Sequence, residues 1–182
     1  ITLIDNGSVS FIGNTASSDG GAIYGDSSSS ITLSDNESVS FSGNMASSAG
    51  GAIYSRGDLS IRNNDSVEFY QNAEANDGVY RLRSIYADGG SGVEISLSAA
   101  VGKSIEFRDS VYVASGSTVE LNADYTDAEG VIHKQAGDII FTGKYTEQHL
   151  NELLAADGLT RTATAEEILN SRTTEVQAMT NL

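Results

Sequence analysis

Ser38-Val39-Ser40-Phe41-Ser42-Gly43-Asn44 decides the fold, because the chain repeats this slot along its length. It returns as Ser8-Val9-Ser10-Phe11, Ser66-Val67-Glu68-Phe69, Ser104-Ile105-Glu106-Phe107 and Asp138-Ile139-Ile140-Phe141, and together the copies hold all five phenylalanines. An aliphatic and an aromatic residue two apart point to one face of a strand. A bulky ring confined to one slot, at spacings of 30, 28, 38 and 34 residues, marks a repeated supersecondary unit whose copies stack on one another.

Residues 1–30 and 31–60 align without a gap and match at 20 of 30 positions, and a third copy runs from Leu59 through Phe69 to Asn72. Each unit offers three short apolar runs separated by Gly, Ser, Asn and Asp, the residues that supply turns and accept positive φ. Three ladders follow: Leu3, Leu33, Ile61, Leu97 and Leu121; the phenylalanine slot; and Ile23, Ile53, Ile85 and Val111, each with a tyrosine after it. If each unit is one coil, like slots lie about 4.8 Å apart. The expected fold is therefore all-β, a right-handed parallel β-helix with three strands per coil and five to six coils. A leucine-rich repeat would show a shorter leucine and asparagine framework, and a propeller blade would need four strands per unit.

The composition agrees, with 19% charged residues and 19 glycines. A net charge of −15 opposes contact with phosphate backbones and anionic lipid, so neither nucleic acid nor a membrane surface is an expected partner. Cysteine is absent, which removes disulfide and thiolate-metal frameworks. The chain opens directly on a strand, Ile1-Thr2-Leu3, and a stacked solenoid needs caps, so the chain reads as a piece of a longer one. Residues 1–145 are assigned to the solenoid. Residues 146–182 change character: Leu150, Leu153 and Leu154 have helical spacing, and Thr164-Ala165-Glu166-Glu167 is a capping box. Two short helices covering a flank or end of the solenoid are expected there.

Phe11-Ile12-Gly13-Asn14, Phe41-Ser42-Gly43-Asn44 and Phe69-Tyr70-Gln71-Asn72 fit an FxxN pattern, and Gly20-Gly21-Ala22-Ile23 and Gly50-Gly51-Ala52-Ile53 fit GGA[ILV]. In that order and twice over, the pair resembles the repeats of the chlamydial polymorphic outer membrane proteins, across about residues 1–86. The third unit departs from the pattern, with Gly78-Val79-Tyr80 standing where a GGA motif is expected. The resemblance implies an autotransporter: a β-helical passenger at the bacterial cell surface or outer membrane, or secreted after cleavage, adhering to a host-cell surface protein or glycan, with self-association a further possibility. It also makes the motif residues candidate contributors to binding. Their packing role is the simpler reading: the rings of Phe11, Phe41 and Phe69 in the core, an amide ladder from Asn14, Asn44 and Asn72, and a tight corner at the paired glycines.

Arg56-Gly57-Asp58 falls in a turn between units and is a candidate exposed recognition tripeptide, although such a tripeptide arises easily in this composition. The turn from Asp88 to Val93 is a second candidate surface, because binding on a regular scaffold concentrates where loops break the regularity. Gly89-Gly90-Ser91-Gly92-Val93-Glu94-Ile95 is similar to a single calcium-binding nonapeptide, a site type that needs tandem copies, so a long turn is the better reading and no metal or cofactor is expected. Enzymatic activity is not expected. His133 and His149 sit in no catalytic motif, and outward carboxylates are not read as pairing in one slot on successive coils. A passive stalk and a glycan-cleaving enzyme stay as the alternatives to an adhesin.

Overall fold

The computed structural model describes residues 1–142 apart from 77–78, 90–91, 115 and 128. The helices expected within 146–182, and His149 with them, lie outside the described residues. What is described is an all-β parallel solenoid. The first sheet stacks Thr2–Ile4, Ile31–Ser34, Leu59–Arg62, Glu94–Ser98 and Thr118–Leu121. The second stacks Ser8–Ile12, Ser38–Ser42, Ser66–Tyr70, Ser104–Phe107 and Asp138–Phe141. The third stacks Ile23–Gly25, Ile53–Ser55, the end of Val79–Ala87 and Ser110–Val113. Counted over the described residues this gives four complete turns and a fifth with strands in two sheets, against the five to six coils expected.

The ladders run in the expected register. Leu33 pairs with Leu3 and Ile61, and Leu97 with Ile61 and Leu121. Phe11, Phe41, Phe69, Phe107 and Phe141 form one column, with ring centroids 4.7, 4.7, 4.7 and 5.0 Å apart and interplanar angles of 7°, 1°, 16° and 12°. Phe41, Phe69 and Phe107 are fully buried, and the isoleucine, leucine and valine columns complete the core around them. Tyr24, Tyr54, Tyr86 and Tyr112 stack in the same manner on the third sheet, at 5.4, 5.7 and 4.3 Å.

Two of the corners share one backbone device. After the inward Phe of the second sheet, Gly13, Gly43 and Gln71 take φ of 64°, 61° and 57°, and an asparagine follows each. After the inward residue of the first sheet, Asp5, Asp35 and Asn63 take φ of 57°, 58° and 53°, again followed by asparagine. The left-handed residue bends the strand, and the amide then satisfies the backbone groups that the bend exposes.

Two excursions leave this frame. Ala73–Asn76 and Val79–Ala87 pair antiparallel, projecting a hairpin from the third coil. Residues 122–137 form the other, with Tyr125–Thr126 antiparallel to Ile132–His133. The first corrects the motif assignment of the third unit. Ile85 is in register with Ile53 and Tyr86 with Tyr54, so Leu82-Arg83-Ser84 stands where Gly50-Gly51-Ala52 stands in the second coil. Val79 and Tyr80 belong instead to the inserted hairpin, and residue 78 lies outside the described residues.

Phe41 has a stacked ring on both sides, so Phe41→Ala is expected to cost about 3–5 kcal/mol, while Asp26→Ala in an exposed turn stays within about 0.5 kcal/mol. Urea melts of the two variants check this; equal losses would contradict the column.

Candidate functional site

The residues of the two recurring motifs are turned into the coil. Asn44 and Asn72 are fully buried and Asn14 is exposed. Asn44 Oδ1 accepts from the backbone N–H (3.0 Å) and the Nδ2 (2.9 Å) of Asn14, and Asn44 Nδ2 donates to the Phe11 carbonyl and to Asn72 Oδ1, both at 2.9 Å. Every donor and acceptor site of that amide is used. Asn72 repeats the pattern one coil further and ends it on the Asp109 carboxylate, which accepts from Asn72 Nδ2 (3.0 Å), from the Asn72 and Gln71 backbone N–H groups (2.8 and 2.9 Å) and from Ser84 Oγ (2.8 Å). A second ladder, Asn6, Asn36 and Asn64, does the same at the other corner. Asn64 is not singled out by the sequence reading, although Leu3-Ile4-Asp5-Asn6, Leu33-Ser34-Asp35-Asn36 and Ile61-Arg62-Asn63-Asn64 spell the second ladder openly, and Asp109, which that reading places outward beside Arg108, is buried instead.

Gly20, Gly21, Gly50 and Gly51 are buried, as are Ile23, Ala52 and Ile53, and Ala22 is half-buried. Gly20 and Gly50 have φ of 66° and 69°, and a Cβ on either would run into the carbonyl of Ile23 or Ile53. A Cβ on Gly21 or Gly51 would meet the backbone of the next coil. Both glycines are thus required by packing. In the third coil a buried ion pair replaces them. Arg83 Nη1 lies 2.7 Å from Glu74 Oε1, both side chains being 2% exposed or less, and Glu74 Oε2 accepts the Gly50 N–H at 3.1 Å. The Arg83 guanidinium lies over the Tyr86 and Tyr112 rings, 5.3 Å from each centroid.

The tripeptide Arg56-Gly57-Asp58 is divided by the structure. Arg56 and Asp58 are exposed, but Gly57 is buried against the Ser29 carbonyl, and Asp58 Oδ1 accepts the Glu94 N–H at 2.9 Å. It is a stapled solenoid turn. The stretch from Asp88 to Val93 includes residues 90–91, which lie outside the described residues. Exposed apolar groups stand instead on the inserted hairpin, at Tyr80 (68%) and Leu82 (49%).

Outward carboxylates do pair in one slot, contrary to the expectation: Glu68 is in register with Glu106 on the second sheet. Glu106 is held by a two-pronged contact from Arg108 at 2.9 and 3.2 Å. The signal was in the text, since both glutamates precede the recurring phenylalanine.

The residue 122–137 excursion folds back over the outward face of the first sheet. Tyr125 O–H donates to Asp35 Oδ1 at 3.2 Å, its ring stacks on His133 at 4.6 Å, and the Arg62 guanidinium lies 4.5 Å from its centroid. His133, expected at the surface in a turn, is half-buried in a strand and paired with Asp127 at 2.8 Å. Lys134 bonds Asp124, Gln135 N–H donates to Asp124 Oδ1 at 2.9 Å, and Asn122 Nδ2 closes the base on the Gly137 carbonyl at 2.9 Å. Between this roof and the sheet lies a groove of about 420 Å³. Its floor is Thr32, Ser60, Ser96 and Glu120, consecutive members of one outward column.

Burial and then the Asp35 charge push the Tyr125 phenol from its ordinary 10.0 to about 12, and burial followed by Tyr112 does the same to Tyr86. The hydrogen bonds from Lys134 and His133 hold Asp124 and Asp127 below the ordinary carboxylate value.

Comparison with known proteins finds a match at residues 8–26 and 38–56 to the Chlamydia polymorphic membrane protein repeat. Each matched stretch runs from a second-sheet strand through the paired-glycine corner of the same coil. No curated protein and no solved structure matches the chain.

Two measurements test the geometry. Asn44→Ala, at a fully buried position, orphans Asn72 Oδ1 together with the Phe11 carbonyl and the Asn14 donors and should cost about 3 kcal/mol, against about 1 kcal/mol for Asn14→Ala at its exposed position; similar losses in urea would mean that the ladder carries little. With raised folded-state values, neutral Tyr125 and Tyr86 contribute stability that is fully present below pH 10.0 and is lost as pH rises through about 12. Stability from urea melts should therefore fall across that window, and less steeply in Tyr125→Phe.

Proposed function

We propose, from the polymorphic membrane protein repeats in its first two coils, that the chain is a stretch of an autotransporter passenger displayed at the bacterial surface and that it adheres to host cells. The observation that carries this is that the two repeat matches fall at equivalent places on successive coils of a parallel solenoid, the architecture of an exported passenger. That the coil interior is filled by the phenylalanine column and amide ladders supports contact through the outward faces, the Arg56 and Asp58 side chains and the hairpin bearing Tyr80 and Leu82. The partner is a host-cell surface protein or glycan, and the net charge of −15 favours one with a basic surface. Binding rather than catalysis is supported at the Glu68 and Glu106 slot by the Arg108 contact, which engages the second carboxylate.

The test is retention of host cells on the immobilised chain, compared with an unrelated acidic β-helix and with folded Arg56→Ala and Tyr80→Ser/Leu82→Ser variants. Wild type should retain cells above the control, less so as salt rises, and the hairpin variant should lose about fivefold. If folded wild type equals the control, the adhesin reading fails and a passive stalk takes its place.

A further inference from the structure

The groove beneath the residue 122–137 excursion belongs to neither recurring motif. We infer that it is a binding site for a neutral saccharide; this deepens the adhesin reading, on which it rests, by giving one contact surface a ligand class.

The lining sets the chemistry. The floor presents the side chains of Thr32, Ser60 and Ser96 in a row and ends at Glu120. Asp58 and Glu94 stand along one side, and Asp124 and Tyr125 come from the roof. Only Leu59 and Ala123 are aliphatic, so an apolar ligand would strand polar groups without partners. The volume of about 420 Å³ falls within the range of roughly 300–1,000 Å³ typical of small-molecule sites.

Three ligand classes meet this surface differently. An anion, such as a sulfated or uronic sugar, faces Asp58, Glu94, Glu120 and Asp124 against a single lining cation, Arg62. A cation would satisfy the carboxylates alone, and among the described residues no group of three or more His, Cys, Asp or Glu converges to hold a metal ion. Arg62 brings guanidinium donors to the lining, and the Thr32, Ser60 and Ser96 side chains bring hydroxyls that donate or accept. A ligand that answers both sets must carry donors and acceptors side by side. The adjacent hydroxyls of a neutral sugar do this: their O–H groups donate to the carboxylates, and their oxygens accept from the Arg62 guanidinium and the floor hydroxyls of Thr32 and Ser96. The roof positions the guanidinium for it, since Arg62 is held under the Tyr125 ring.

The experiment is an array carrying neutral oligosaccharides of glucose, galactose and mannose, their sulfated counterparts, and spermidine, probed with the whole 182-residue chain. Neutral spots should retain wild type. Ser96→Tyr, which fills the floor, and Glu120→Gln, which sits at an exposed position and leaves packing alone, should each lower retention about tenfold, whereas Asp26→Ala, exposed and outside the groove, should not. Retention on spermidine or sulfated spots only, no retention by folded wild type, or retention that both groove variants leave unchanged would each overturn the proposal. Host-cell retention by the same proteins separates the two readings. Cells held without any neutral-glycan binding overturn the groove and leave the adhesin reading standing, while glycan binding without cell retention does the reverse.

Discussion

Like must lie on like in this molecule, at the spacing of neighbouring strands. With ring centroids 4.7 Å apart, each phenylalanine uses the faces of the rings above and below as its walls, so a slot accepts one shape and repeats it. The same spacing brings an asparagine on one coil within hydrogen-bond reach of its equivalent on the next. Extra residues cannot enter a strand without shifting every column. They enter at the corners, and both excursions lie there, as projections from the third coil and from the fifth. The surfaces with chemistry to offer are therefore those that the stacking rule does not govern.

Polar groups inside such a stack are stable only if the whole row is satisfied, because a buried amide with one bond missing costs more than an apolar substitute. The rows here end on designated partners. Asp109 closes the Asn14 ladder with an acceptor-only group in a slot where every neighbour is a donor. Glu74 works similarly at the glycine corner, taking the Gly50 N–H with one oxygen and Arg83 with the other. Glu74 Oε1 also lies 3.6 Å from Arg81 Nη1, so the pair belongs to a buried charge cluster, and removing either member weakens the compensation of the other.

How far the sequence could be read depended on whether a feature repeats. Phe41 and its equivalents, the Ile23 column and the tyrosines beside it are legible because one residue type recurs in one slot. The Asn6, Asn36 and Asn64 ladder recurs just as clearly but was overshadowed by the Phe and Gly motifs. The Glu68 and Glu106 pair was equally plain and went unnoticed. Arg83 was different: a glycine at position 78 drew the alignment of the third corner, and only the pairing of Ile85 with Ile53 shows which residues replace the motif. The groove was not legible at all, because its roof is seated by Tyr125 on Asp35, residues 90 apart with no shared pattern.

Both amide ladders point one way, each asparagine donating toward the later coil. A run of identical, unidirectional links has no preferred number of members, whereas a terminator fixes a position. Deleting or duplicating residues 31–58 as a block would return each column to itself, with Asn14 or Asn44 meeting the next amide in the same manner. The same operation across Asp109 would leave an amide row without its acceptor. Within one chain the early coils are thus interchangeable in number, like beads, and the fourth is a full stop. Recombination between repeats could lengthen or shorten this rod by whole turns on one side of Asp109 while leaving the hairpin in place, although loss of the second coil would take Thr32, Asp35 and Asp58 from the groove and its roof contact.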